Sequence, residues 1–149
     1  MIILIMTVIA LSFSTAFATM QDHYQTVSYN AGGSGYTGTS NKTEYATQYS
    51  TRLTGVGFVG LPAGQFPSNT TNIYFTPCDV NAGYAAMAPR NYHNQTHMQN
   101  NTVKHDYYYN GTIDYRQSGY TAVIRVDSNY NLGNTVGVKW NLGYVSVLP

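Results

Sequence analysis

Four histidines, six carboxylates and one cysteine are the groups this 149-residue chain offers for acid–base, metal or nucleophilic chemistry. His93 and His97 stand four residues apart, with His105 and Asp106 downstream. On a helix that spacing sets two imidazoles on one face, where they could chelate a metal. The stretch from Asn91 to Asn101 is polar and loop-like, however, and it lacks the glutamate of a metalloprotease helix. The three histidines are expected to be solvated, with no metal and no cofactor. Glycosidase chemistry needs two facing carboxyl groups. The chain has one glutamate, Glu44, and five aspartates, none in a recognisable motif. Cys78, in Thr76-Pro77-Cys78-Asp79, matches no protease signature, and no nucleophile elbow occurs. The chain is not expected to be an enzyme.

The remaining side chains with binding chemistry are aromatic. Fifteen tyrosines and one tryptophan supply much of the apolar bulk, each with a polar tip that can stay wet. Tyr107, Tyr108, Tyr109 and Tyr130 are the candidate binding surface, because strand alternation sends part of this cluster outward, Tyr108 most clearly. A sugar platform needs such exposed rings beside amides or carboxylates. The rings that share a face with Trp140 are expected in the core instead.

Strands must position these groups. Thr43 to Leu53 alternates, with Tyr45, Tyr49 and Leu53 on one face and Glu44, Gln48 and Arg52 on the other, the pattern of a half-buried strand. Val56 to Leu61 and Ile73 to Phe75 are shorter apolar runs ended by Pro62 and Pro77. Asn81 to Met87 is the one plausible helix, at most two turns before Pro89. Asn110-Gly111 is a strong hairpin signal between Val103–Tyr109 and Thr112–Tyr115. Farther on, Tyr120, Ala122, Ile124 and Val126 share one face, and Val136, Val138, Trp140 and Leu142 share another. Two such strands joined by the short polar loop from Ser128 to Asn134 are expected to pair antiparallel. Ile124, Val126, Val138, Trp140 and Leu142 are the expected core cluster. The predicted fold is all-β, a small antiparallel sandwich or open barrel with at most one short helix.

The amino terminus carries an address. Ile2 to Leu11 is an almost unbroken apolar run, and Ala16-Phe17-Ala18 follows with the small-x-small pattern of a signal-peptidase site. Residues 1–18 are expected to be a cleaved signal peptide. Thr7, Ser12, Ser14 and Thr15 interrupt the run, which suits a signal better than a spanning helix of about 20 apolar residues. The positively charged start of a signal is the one missing feature, since no Lys or Arg precedes the run. Residues 19–42 contain Gly32-Gly33-Ser34-Gly35 and are expected to form a flexible arm, leaving 43–149 as one β domain. The expected location is extracellular, free or loosely held at the cell surface. The membrane is engaged through the signal peptide alone, before cleavage.

Composition narrows the partners. Charged residues make up 9% of the chain, against about 25% in ordinary soluble domains. With a net charge of +1, neither nucleic acid nor an anionic membrane surface is an implied partner. Five Asn-x-Thr sequons begin at Asn41, Asn69, Asn94, Asn100 and Asn110, and would accept glycans in a eukaryotic or archaeal host. A lone cysteine allows no internal disulfide, so Cys78 is a small buried side chain or an intermolecular bridge.

The stretches Gly119 to Asn129 and Val136 to Leu142 close the chain with two strands, the last holding Trp140. With the signal and the Gly/Asn/Tyr-rich middle, this layout resembles small secreted Gram-positive β-proteins, and more distantly lactococcin-type bacteriocin precursors. The long insertion from Val56 to Asn101 departs from the latter. The resemblance implies secretion and a β fold, with a bacteriocin-like antagonist as one functional expectation. The residues themselves suggest a non-enzymatic extracellular protein acting by surface interaction or self-assembly, with a glycan-binding module as the alternative. Its partner would be itself, a cell-surface component or a glycan.

Overall fold

The computed structural model describes residues 23–29, 33–53, 57–62, 65–67, 71–93, 102–129 and 134–143. The signal-peptide expectation at Ala16 and Ala18 lies outside the described residues, as do His97 and Tyr130. Among the described residues ten strands run in the order β1 (His23–Tyr29), β2 (Ser34–Tyr36), β3 (Ser40–Asn41), β4 (Gln48–Leu53), β5 (Ile73–Asp79), β6 (Ala85–Ala86), β7 (Asn91–His93), β8 (Thr102–Asp106), β9 (Thr121–Ser128) and β10 (Asn134–Asn141). One sheet has the order β1-β10-β4-β8. The second, six-stranded sheet follows β2-β9-β5-β6, with β3 also on β9 and β7 also on β5. Every pairing is antiparallel. The fold is all-β: two sheets form a sandwich that does not close into a barrel.

Alternation explains which residues meet between the sheets. In β10, Val136, Val138 and Trp140 turn inward, opposite Val27, Gln25 and His23 of β1. Leu53 and Thr51 of β4 flank Val138 and Trp140 on the other side. From the six-stranded sheet, Ile73 and Phe75 of β5 and Ala122, Ile124 and Val126 of β9 face them. The five core residues named from the sequence all lie in this cluster, each at most 1% exposed. Their arrangement differs from the expected one. Strands β9 and β10 do not pair; each belongs to a different sheet. Ile124 and Val126 therefore meet Trp140 and Val138 across the sandwich, not along a shared ladder. After β9, Asn129 exchanges hydrogen bonds with Asn72.

Two further expectations are corrected. The described part of the expected arm 19–42, residues 23–29 and 33–42, is not loose: β1 pairs with all seven of its residues along β10, and β2 and β3 add to β9. Gly35, within the glycine cluster, is a point of contact and not a hinge. A Cβ there would come within 2.5 Å of the Ser28 carbonyl oxygen and of Val27 Cγ1. The β domain thus starts near His23 and not at residue 43. Nor does Asn81 to Met87 form a helix; it is a turn leading into β6, with Gly83 and Tyr84 both at φ 64°. Left-handed backbone at two successive residues is incompatible with a right-handed helix. Residues 43–47 also run outside the predicted long strand, which begins only at Gln48.

Trp140 should be the most costly core truncation. Trp140→Ala is expected to lose about 3–5 kcal/mol in chemical denaturation, since the ring is fully enclosed. Gly35→Ala should lose about 1–3 kcal/mol by overpacking against backbone that cannot swing aside.

Candidate functional site

The segment after β8 builds a projecting turn. Tyr107 points inward and its hydroxyl donates to the Leu142 carbonyl at 2.8 Å. Burial pushes that hydroxyl's pKa well up. Tyr107 is thus a core residue, which corrects its placement on the binding surface. Tyr108 and Tyr109 turn outward, 45% and 60% exposed. The Asn110-Gly111 turn forms where expected, but on a much shorter hairpin: one bridge joins Tyr109 to Asp114, and β8 pairs with β4 instead. Gly111 takes φ 83° and the Asn110 side-chain oxygen accepts from the Thr112 and Ile113 amides. This Asx arrangement closes the turn locally.

A cleft of about 390 Å³ opens between this turn and β6. Tyr108, Tyr109, Asn110, Ile113 and Tyr115 line one side, and Ala85 and Ala86 the other. Ile113 is itself 42% exposed, so the walls present apolar and aromatic surface to solvent. The Tyr108 amide donates to the Met87 carbonyl at 2.9 Å, which fixes the turn against β6.

Arg116 supports the outer wall. Its guanidinium lies 4.2 Å from the Tyr109 ring centre and 5.9 Å from that of Tyr45. Asp114 holds it by two bonds, Nε to Oδ1 at 2.7 Å and Nη2 to Oδ2 at 3.0 Å. Those hydrogen bonds from Arg116 keep the Asp114 carboxyl well below the usual carboxylate range. An arginine clamped flat by a carboxylate is a stiff shelf for an aromatic ring.

Beneath this shelf sits Lys42, 1% exposed. Its ammonium donates to the carbonyls of Glu44, Arg116 and Gln117 at 2.5, 2.5 and 3.0 Å, and lies 5.2 Å from the Tyr107 ring centre. Three donors meet three acceptors, so the buried charge is fully hydrogen-bonded. Burial lowers its pKa to about 8, against the opposing pull of Asp114 and Glu44.

The candidate metal ligands are dispersed. His93 is fully buried in β7 and packs edge-on against Phe75 at 5.2 Å. His105 lies in β8, opposite Tyr49, and stacks on it at 5.9 Å. These two are packed aromatic side chains, not solvated loop residues. Among the described residues no group of three His, Cys, Asp or Glu could hold a metal ion. Cys78 is buried, its thiol donates to the Thr76 carbonyl at 3.4 Å, and burial raises its pKa.

A second aromatic surface had no sequence signal of its own. On the outer face of the six-stranded sheet, Tyr36 and Tyr84 touch at 4.9 Å, and Tyr74 and Tyr92 lie 6.5 Å apart. Arg90 covers Tyr74 at 4.5 Å. The tyrosines come from β2, the turn before β6, β5 and β7, so only the tertiary fold assembles them.

No protein-family model and no curated protein matches the chain. Among solved structures, the crystal structure of the Yersinia pseudotuberculosis-derived mitogen is similar, with a TM-score of 0.48 and 10% identity. The likeness covers 87% of this chain and 91% of the mitogen.

The buried lysine makes stability depend on pH in a defined way. The unfolded chain keeps the Lys42 proton up to the ordinary value of 10.5, whereas the folded protein releases it near 8. Between those values the unfolded state binds more protons, so stability should rise with pH from about 8. Tyr49 and Tyr107 act oppositely: burial raises their pKa above the ordinary 10.0. The unfolded chain then loses those protons first, and stability should fall above about pH 10. Denaturation across pH 7–11 should show this rise and fall, and Lys42→Met should abolish the rising limb. At pH 7 the same variant should be about 2 kcal/mol or more less stable, with three carbonyls left unsatisfied.

Proposed function

We infer that this is an extracellular, non-enzymatic protein that acts by surface interaction, through the cleft between the Tyr108–Ile113 turn and β6. The carrying observation is that Tyr108, Tyr109 and Ile113 stay largely exposed on a turn held rigid by Lys42, Arg116 and Asp114. Rigid aromatic side chains at an open apolar cleft lose little entropy on contact and exclude water well. The signal-like amino terminus supports export, and the low charge supports contacts made by ring stacking and hydrogen bonds.

Self-association through this cleft is the second reading, favoured by exposed Ile113. Strand addition at the β8 edge of the four-stranded sheet is less favoured, because β8 carries Lys104 and Asp106.

Mature protein should co-sediment with intact cells of the producing organism or with their isolated walls. Tyr109→Ala combined with Ile113→Ser should weaken this about tenfold or more while leaving the circular dichroism unchanged. Equal co-sedimentation of the variant overturns the cleft assignment. Concentration-dependent light scattering lost in the same variant would establish self-association as the interaction.

A further inference from the structure

The outer face of the six-stranded sheet carries an ordered row distinct from the cleft. Strand register sets Tyr92 of β7 beside Tyr74 of β5, Tyr74 beside Asp127 of β9, and Asp127 beside Ser34 of β2. At about 4.8 Å between strands the row extends roughly 14 Å, the length of a short oligosaccharide. One end is aromatic and the other is polar. At the polar end, Arg125 Nε bonds Asp127 Oδ2 at 3.0 Å, and the Ser34 hydroxyl donates to Asp127 Oδ1. Both members of that ion pair remain partly open, at 32% and 25% exposure. At the aromatic end Arg90, two residues before Tyr92, lies over Tyr74 and meets no carboxylate among the described residues.

We propose that this row binds an acidic polysaccharide. The apolar face of one pyranose stacks on the half-exposed Tyr92 ring, beside Tyr74, whose ring Arg90 already covers. The sugar carboxylate pairs with Arg90, and hydroxyls of the next unit bond to Asp127, Arg125 and Ser34. Three observations select this occupant. The row alternates ring faces with a preformed donor–acceptor pair, which is what a chain of hydroxylated rings needs. The row itself carries two rings, a carboxylate and a hydroxyl and no aliphatic side chain, so it offers stacking and hydrogen bonds and no aliphatic patch. Among the described residues the charge of Arg90 meets no carboxylate while that of Arg125 is matched by Asp127, so the described part of the face is net positive by one. A guanidinium already resting on a ring is preorganised for a carboxylate and loses little freedom on pairing.

The site is independent of the cleft, so either can fail alone. Affinity electrophoresis of the mature protein in gels containing polygalacturonate or hyaluronan should show retardation. Full methyl esterification of the polygalacturonate, which removes the charge and keeps the backbone, should reduce it about tenfold. Arg90→Gln should lower binding of the acidic polymer to the level of the ester. Tyr92→Ala should abolish both, and Tyr109→Ala should leave both unchanged. Arg90 is exposed, so its variant should fold normally, which thermal melting checks. Absence of retardation by both acidic polymers overturns the proposal. So does equal retardation by acid and ester, or unchanged binding of Arg90→Gln.

Discussion

One buried ammonium group organises the end of the molecule that bears the cleft. Lys42 has no carboxylate in hydrogen-bond contact; it is held by three backbone carbonyls, two of them more than seventy residues away in sequence. Around it the backbone zips: Lys42 N–H to Tyr120 O, Gly119 N–H to Lys42 O, and Ala46 N–H to Arg116 O. Residues 42–46 and 116–120 are therefore tied side by side without a regular strand between Asn41 and Gln48. Arg116 lies within this zipper and carries Tyr109 on its guanidinium. Position the ammonium, and the carbonyls, the arginine and the outer wall of the cleft follow in order. Its depressed pKa is the electrostatic cost of that arrangement.

The chain handles polarity with tyrosine where most domains use charge. Inside, tyrosine hydroxyls reach backbone carbonyls: Tyr49 bonds Pro89 O at 2.9 Å, as Tyr107 bonds Leu142 O. Outside, tyrosine rings lie against arginines, Tyr109 and Tyr45 on Arg116, and Tyr74 under Arg90. Cys78 forms no bridge to help, and the core alone must hold the sheets together. A cluster containing Trp140, Tyr49, Phe75 and Ile124 is large enough for that role at this chain length.

Alternation made the inward faces legible and left the neighbours open. The faces of β9 and β10 follow from their sequences because a two-residue period has only one reading when one face is apolar. Nothing in that period says which strand lies alongside, so two strands joined by a short polar loop read as a hairpin although each belongs to a different sheet. Strand β1 was legible in principle, since Val27 and Tyr29 alternate with Thr26 and Ser28, but the glycines after it masked it as part of a linker. Alternation placed Tyr108 outward but set Tyr109 on the same face as Tyr107. The rings of Tyr108 and Tyr109 both face outward because the strand ends at Asp106, before the Asn110-Gly111 turn. Lys42 could not be found at all, because its acceptors are carbonyls, which every residue carries. The same holds for the Tyr74–Tyr92 row, which exists only through the register of β5 with β7.

The two tyrosine surfaces meet at the turn between β5 and β6. Ala85 and Ala86 wall the cleft, while the ring of the preceding residue, Tyr84, packs on Tyr36 at the outer face. Tyr84 holds φ 64°, a left-handed conformation that costs a bulky residue about 1–2 kcal/mol relative to the right-handed one. Glycine would take it freely, and Gly83 next to it does. The turn itself does not require a tyrosine: the Asp79 carbonyl accepts the Tyr84 amide, and the Asp79 side chain accepts that of Asn81, bonds that use only backbone donors. What the ring adds is contact with Tyr36. Strain kept at one residue between two exposed aromatic surfaces fits a turn shaped for what those surfaces touch, since the fold alone would be served as well by glycine.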